Sequence, residues 1–338
     1  MTEATEIDIS SELLTLIVVG VVVSVFFVIL GIIICLIVLY VYRKLTIIKC
    51  TCHKHLHGKT AIVTGGNSGI GYQIALALAG RGCRVIIADK DNCESTKNEI
   101  INATDNPNVI VKYLNLTSIK SIREFSQDIN ETEDRLDILI NNAGIANSAQ
   151  DYTNDELQVT MQVNHFGPFL LTHLLIGLLK KTSSSRIIFT GGTLTWLSNL
   201  EITNLNTYNK IQTWAPIFIY ANSQLCNVLT TVALSRILFN FEIMHPQCEP
   251  PRAATALNIV LEGLIKNIVL KYYAKTAEEG AQSVIHVAIS KETENVSGEL
   301  FTNCHATTKP IKSSDFIFVR SIWEASEKFV GLTKEEQL

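Results

Sequence analysis

The stretch "KTAIVTGGNSGIGYQIALALAGRGCRVIIAD", residues 59–89, decides the fold. Its "AIV" is too short and too apolar to be half-exposed, so it reads as a buried strand. Glycines follow at Gly65, Gly66, Gly69 and Gly71, and then Ile74, Leu76, Leu78 and Ala79 supply one apolar face of a helix. "RVIIAD" returns as a second buried strand, which completes a βαβ unit. Working outward, "VIVKYL", "LDILINNAG" and "SRIIFTGG" add strands, each with enough chain before the next for a crossover helix. Strands alternating with helices imply an α/β fold with a doubly wound parallel sheet covered on both faces. No internal repeat or low-complexity tract interrupts it.

The glycine turn also points to a ligand. Gly65 and Gly66 let the chain leave the strand sharply, while Gly69 and Gly71 let a phosphate approach the backbone and the helix pack on the sheet. The helix N-terminus would then face a pyrophosphate. A tight turn that binds nothing is the alternative; the placement between strand and helix, with Asp89 at the end of the next strand, favours the dinucleotide.

From Leu13 to Tyr42 no residue is charged. At about 1.5 Å per residue such a helix exceeds the roughly 30 Å hydrocarbon core of a bilayer, so one N-terminal transmembrane helix is expected. Acidic residues before it (Glu3, Glu6, Asp8, Glu12) and the length of the run favour a permanent anchor over a cleaved signal peptide. Arg43, Lys44, Lys49, Lys54 and Lys59 follow it, which places the C-terminal part in the cytosol. Sequons at Asn102, Asn115, Asn130 and Asn295 are then expected to stay bare, and the eight cysteines reduced. "KCTCHKHLHGK", residues 49–59, holds Cys50, Cys52, His53, His55 and His57 at a spacing that matches no standard zinc pattern. It reads as a solvated linker with no metal, in which Cys50 or Cys52 is a candidate for palmitoylation. The expected division is an acidic tail (1–12), the anchor (13–42), a basic Cys/His linker (43–57), the α/β domain (58–310) and a helical C-terminal tail (311–338). A net charge of −4 and a pI near 6.1 set nucleic acid aside.

"TGGNSGIG" resembles the TGxxxGxG turn of the short-chain dehydrogenase/reductase family, and "NNAG" at 141–144 resembles that family's fourth-strand motif. "VNHFGPFLLT" and "EEGAQSVIHVA…SGELFTNC" are similar to the membrane-anchored retinol dehydrogenase branch. The resemblance runs from about His57 to about Cys304 and implies a Rossmann-type sheet. It also implies an NAD or NADP cofactor, a lipophilic alcohol or carbonyl ligand, and the endoplasmic reticulum as the membrane. Cofactor positions carried over are Gly65, Asn67, Ser68, Gly69, Ile70 and Gly71 on the phosphate turn, with Asn142, Ala143 and Gly144 beside the adenosine. Asp89 would accept from the adenosine ribose and repel a 2′-phosphate, which favours NAD, while Lys90 stands where the branch usually has an arginine for NADP. Asn115 takes the place of an aspartate that usually touches adenine.

The family's chemistry uses Asn, Ser, Tyr and Lys. Asn164 matches the Asn and Tyr220 the Tyr, but the lysine position, four residues on, is Gln224. "SRIIFTGG" against the family's SRIVNVSS puts Gly191 and Gly192 over the serine pair; Thr193, one residue on, needs a bulge to substitute, and Thr190 lies two back. Past "MHPQCEPPR" the nicotinamide end is altered as well, since Gln247 replaces a glycine and Pro250 and Pro251 lack N–H donors. A cation that depresses a phenol by about three units is worth roughly 4 kcal/mol, about a thousandfold in reactive form. The resemblance therefore implies a dinucleotide-binding protein with weak or absent hydride transfer, which would act as a sensor, lipophile binder or scaffold. The alternative is a working retinoid or steroid oxidoreductase in which Thr193 and another cation stand in; a structural membrane protein with an empty cleft is the third. Gln224 has a plainer reading too, as a polar helix residue facing water. "ATALNIVLEGLIKNIVLKYYA", 254–274, reads as either a cover over a lipophilic ligand or an ordinary core helix.

Overall fold

In the computed structural model, residues 3–146, 152–182, 184–207, 215–238, 241–247 and 275–338 are described. The helical stretch 254–274, with Pro250 and Pro251, lies outside them. The chain divides into two units, Met1–Ile47 and Ile48–Leu338. The first is a single helix, α1 (Glu3–Thr46), whose segment Leu13–Val38 has a mean hydropathy of 3.5 and is long and apolar enough to cross a membrane.

The second unit is built on the βαβ pattern. Its strands are β1 (Thr60–Thr64), β2 (Arg84–Asp89), β3 (Val109–Tyr113), β4 (Ile138–Asn141), β5 (Arg186–Phe189), β6 (Glu242–Gln247), β7 (Glu299–Thr302) and β8 (His305–Thr307). Their order across the sheet is β3-β2-β1-β4-β5-β6-β7-β8, parallel throughout except for the antiparallel pair β7–β8. The helices are α2 (Gly69–Ala79), α3 (Glu94–Thr104), α4 (Ile119–Thr132), the short α5 (Val159–Met161), α6 (Gly167–Lys181), α7 (Ala215–Ile237), α8 (Ala277–Ile289) and α9 (Phe316–Phe329).

Alternation along the strands sorts the core into two layers. Ile62, Ile86, Leu139, Ile187, Ile243 and Leu300 point to one face, where Phe166, Phe169 and Trp323 pack. Val63, Ile87, Ile140, Ile188 and Met244 point to the other, against Ile74 and Leu78 of α2 and Val284 and Val287 of α8. Because both faces are covered, the central strands are apolar through their middle residues on both faces, which is why "AIV" and "VIIA" lack the polar alternation of a half-exposed strand. At the bottom of the sheet Asp137 accepts from the Thr60 N–H at 2.9 Å and pairs with Lys59 and Arg135 at 2.8 and 2.7 Å. Helix ends are closed by local chemistry: Ser118 and Asp315 cap α4 and α9, and Thr276 with Glu279 forms a capping box on α8.

The start of the second unit, residues 48–57, departs from the sequence expectation. It is solvated only in part: Thr51, His53, His55 and His57 are exposed, but Leu56 is buried, and Cys50 and Cys52 are partly buried against the core layer of α2 and α8. Sequence patterning could not show this, because part of the surface it packs on, α8, comes more than 200 residues later.

Candidate functional site

Strand order reverses between β1 and β4, and at such a switch point the carboxyl ends of the strands open a crevice. The glycine turn sits there. Gly65 and Gly69 take φ of +65° and +58°, a region that suits glycine. A Cβ on Gly71 would stand 2.1 Å from the Gly65 carbonyl oxygen, so nothing larger fits. Ser68 starts α2 without turning its hydroxyl onto the helix, which leaves the first-turn N–H groups facing the crevice. Asn67 is held from behind, its Oδ1 accepting from the Thr96 hydroxyl at 2.6 Å, and Ile70 is half-buried.

Thr64, the last residue of β1, ties the turn to the "NNAG" segment. Its Oγ1 accepts from the N–H groups of Asn142 and Ala143 at 2.9 and 3.0 Å, and Asn142 Nδ2 donates to the Thr64 carbonyl at 3.0 Å. Gly144 follows, where a Cβ would touch Asn164 Oδ1 at 3.4 Å. Asp89 lies at the end of β2 with Oδ1 accepting from the Asp91 N–H, and Lys90 beside it is exposed. Asn115 uses its Oδ1 on the N–H and hydroxyl of Thr117, so it offers a nucleotide chiefly its Nδ2.

Across the crevice a π-helical turn, Gln162–Phe166, carries Asn164. Such turns break the regular hydrogen-bond ladder and often mark functional sites. The carboxamide of Asn164 pairs with the backbone of Ile145, accepting from its N–H and donating to its carbonyl, both at 2.8 Å. It also donates to Ser223 Oγ at 3.0 Å, and Ser223 in turn donates to the Tyr220 carbonyl at 2.7 Å. The carbonyl of Asn164 is taken by Asn227 Nδ2 at 2.8 Å. The packing of α7 on this turn therefore sets Asn164 against Ser223 and Asn227 of α7, with Ser223 bonded back to the Tyr220 backbone. Ser223 and Asn227 were not legible in sequence, since polar residues inside an apolar helical run carry no mark of where they point.

Gln224 is 4% exposed, and its Oε1 has no hydrogen-bond partner among the described residues. The plainer reading of a water-facing glutamine is thereby corrected. It lies one turn after Tyr220 on the same helix face. A buried acceptor without a donor is costly, and a ribose hydroxyl is the kind of group that relieves it. With the glycine turn and the open N-terminus of α2, the residues present fit a dinucleotide.

The segment after β5 carries the other altered position. Gly192 is extended, and a 3-10 turn, Thr193–Leu197, begins at Thr193 and docks on α7 through Ser198 and Asn199, both bonded to Asn222 Oδ1. Thr190 spends its hydroxyl on the carbonyls of Asn141 and Asn142 at 3.3 and 3.4 Å. Behind Gly191 lies His245 of β6, fully buried, whose Nε2 would stand 2.1 Å from a Cβ at 191. Burial lowers the His245 imidazole to about 3, so it is neutral. His165 beside Asn164 is likewise held at about 4 by burial and bonded to Asn227 and Ser326. The described hydrogen-bond partners of Asn164, Ser223 and Asn227 are thus amides, a hydroxyl, backbone and a neutral imidazole.

The family model described as "short chain dehydrogenase" matches residues 59–201. Human retinol dehydrogenase 14 is 36% identical over 304 residues, covering 82% of this chain and 88% of its own. Among solved structures, a protein from Mycobacterium paratuberculosis is 23% identical with a TM-score of 0.65, covering 82% of this chain and 95% of its own. A short chain dehydrogenase from Escherichia coli CFT073, complexed with NADPH, is 20% identical with a TM-score of 0.58, covering 75% and 99%.

Proposed function

This chain belongs to the short-chain dehydrogenase/reductase family, in its retinol dehydrogenase-like branch, and from that premise we propose that it binds NAD or NADP but transfers hydride weakly or not at all. The observation that carries this reading is Gln224. It is buried one turn from Tyr220, where the family resemblance calls for lysine, and a carboxamide brings no charge to the site. A bound dinucleotide would supply the hydride donor or acceptor. The glycine turn holds its phosphates, Asn142, Ala143 and Gly144 line its adenosine side, and Gln224 meets its second ribose. Asp89 tilts the choice toward NAD and Lys90 toward NADP. Tyr220 and Asn164 keep their places, but Gly192 offers no hydroxyl to a substrate oxygen. Losing such a donor typically costs a further 10²–10³ or so. Thr193 follows the extended Gly192 as the first residue of a 3-10 turn, one position beyond the serine place.

The apolar helix α1 supports a single-pass membrane anchor, the basic residues after it support an α/β domain in the cytosol, the retinol dehydrogenase name of the relative supports a lipophilic ligand, and the endoplasmic reticulum is the membrane the family resemblance implies. The test pairs cofactor binding, read by NADH and NADPH fluorescence, with hydride transfer to retinal, for the natural protein and for Gly192→Ser with Gln224→Lys. The natural protein is expected to bind cofactor with little turnover. Turnover at ordinary dehydrogenase rates would sink the reading in favour of a working retinoid or steroid oxidoreductase. Failure to bind either cofactor would favour a purely structural protein.

A further inference from the structure

The packed segment before β1 meets α8 and the β7–β8 turn at a cluster of soft ligands. The thiols of Cys50 and Cys52 and a ring nitrogen of His286 all lie within 4.8 Å of one another. Three such atoms around one tetrahedral zinc stand about 3.5–3.8 Å apart, from Zn–S and Zn–N bonds of about 2.3 and 2.0 Å. Ligation would draw the three atoms together by no more than about 1.3 Å.

The approach is built by the backbone. Cys50 donates its N–H to Gln282 Oε1 at 3.0 Å, the Cys52 carbonyl accepts from Arg81 at 3.1 Å, and Leu56 anchors the segment in the core. Gln282 also links this cluster to Cys304, which stands outside the 4.8 Å group: the Gln282 carbonyl lies 3.6 Å from the Cys304 thiol, and the Cys304 N–H donates to Ser283 at 3.3 Å, so a side-chain movement would have to bring that thiol in as a fourth ligand. The Glu292 carboxylate stands 3.8 Å from His286 Nε2, the kind of outer partner that orients a ligating imidazole.

We propose that Cys50, Cys52, Cys304 and His286 form a structural zinc site that staples residues 48–57 to α8 and the β7–β8 turn. Three thiols and one imidazole are a known structural zinc set, and their softness rejects magnesium and calcium. On binding, each thiol releases its proton to water, and the ion is held by three thiolates and a neutral imidazole. Thiols so engaged are closed to acylation, so the site competes with palmitoylation at Cys50 and Cys52.

The experiment uses the full chain, purified in detergent under reducing conditions without chelator. Elemental analysis is expected to find one zinc per chain, and Cys50→Ser with Cys52→Ser to hold about a tenth of that or less. His286→Gln and Cys304→Ser should also lose metal, whereas Cys35→Ser, in α1, should not. Cobalt added to the chelator-stripped protein should give a thiolate charge-transfer band and the intense visible bands of tetrahedral geometry; this arm decides even if a variant fails to fold. A natural protein that is folded by circular dichroism but binds neither zinc nor cobalt would overturn the proposal. So would zinc retained in the Cys50→Ser, Cys52→Ser chain, copper in place of zinc, or Cys50 and Cys52 recovered acylated or as a disulfide.

Discussion

Thr64→Val isolates the bond that joins the glycine turn to the end of β4. Thr64 is fully buried, and its Oγ1 accepts from the N–H groups of Asn142 and Ala143 at 2.9 and 3.0 Å. Valine keeps the shape and removes the acceptor. The Asn142 N–H retains a second partner, the Ile140 carbonyl at 3.1 Å, so the Ala143 N–H is the group left without one. An unsatisfied buried donor costs about 1–3 kcal/mol; Ala143 is half-buried, and water offsets part of the loss, which places the cost near 2 kcal/mol. For a domain of this size the thermal midpoint should fall by roughly 4–8 °C. Thr64→Ser keeps the oxygen and loses one methyl, worth about 0.8 kcal/mol, and should fall by less than half as much. Differential scanning fluorimetry of the detergent-solubilised chain reads both. Dinucleotide affinity should fall about tenfold for valine and little for serine, because 1.4 kcal/mol of misplacement at Ala143 and Gly144 is a factor of ten. Equal midpoints for the natural and valine chains, or a serine chain as damaged as the valine chain, would refute the reasoning.

Acid should destabilise the α/β domain early. His165 and His173 are held at about 4 and His245 at about 3, each by burial, against an ordinary 6.5. The unfolded chain takes up these protons as pH falls through about 6.5 while the folded chain does not, so stability present above that pH is lost as it falls toward 4, by about 1.4 kcal/mol per imidazole per unit. A thermal midpoint that stays flat from pH 7.5 to 5 would contradict this. Gly71→Ala forces a Cβ to within 2.1 Å of the Gly65 oxygen, which is backbone and cannot swing away. It should abolish dinucleotide binding and cost about 1–3 kcal/mol, readable by titration and by melting. Asp137→Ala leaves the buried Thr60 N–H without its acceptor and should cost about 2 kcal/mol; its partners Lys59 and Arg135 are partly exposed and add little. Asp89→Ala should shift relative affinity from NADH toward NADPH, checked by fluorescence titration.

Neighbours in the chain set their own local structure, and that much was in the sequence. The pattern from Thr60 to Asp89 dictated strand, turn and helix, because apolar period and glycine conformation act over a few residues. Leu13 to Val38 declared an apolar helix for the same reason. Tyr220 and Gln224 could be paired by their spacing of four, but whether Gln224 met water or the protein interior depended on how α7 packs. Thr64 reached Ala143, and Asn164 reached Ser223, only once the strands lay side by side. Cys50 and Cys52 at one end of the domain, and His286 and Cys304 near the other, share no spacing that a motif could record. Burial and the direction of a side chain are properties of packed surfaces, and those surfaces are assembled from segments the chain brings together over hundreds of residues. Tertiary structure alone decided them.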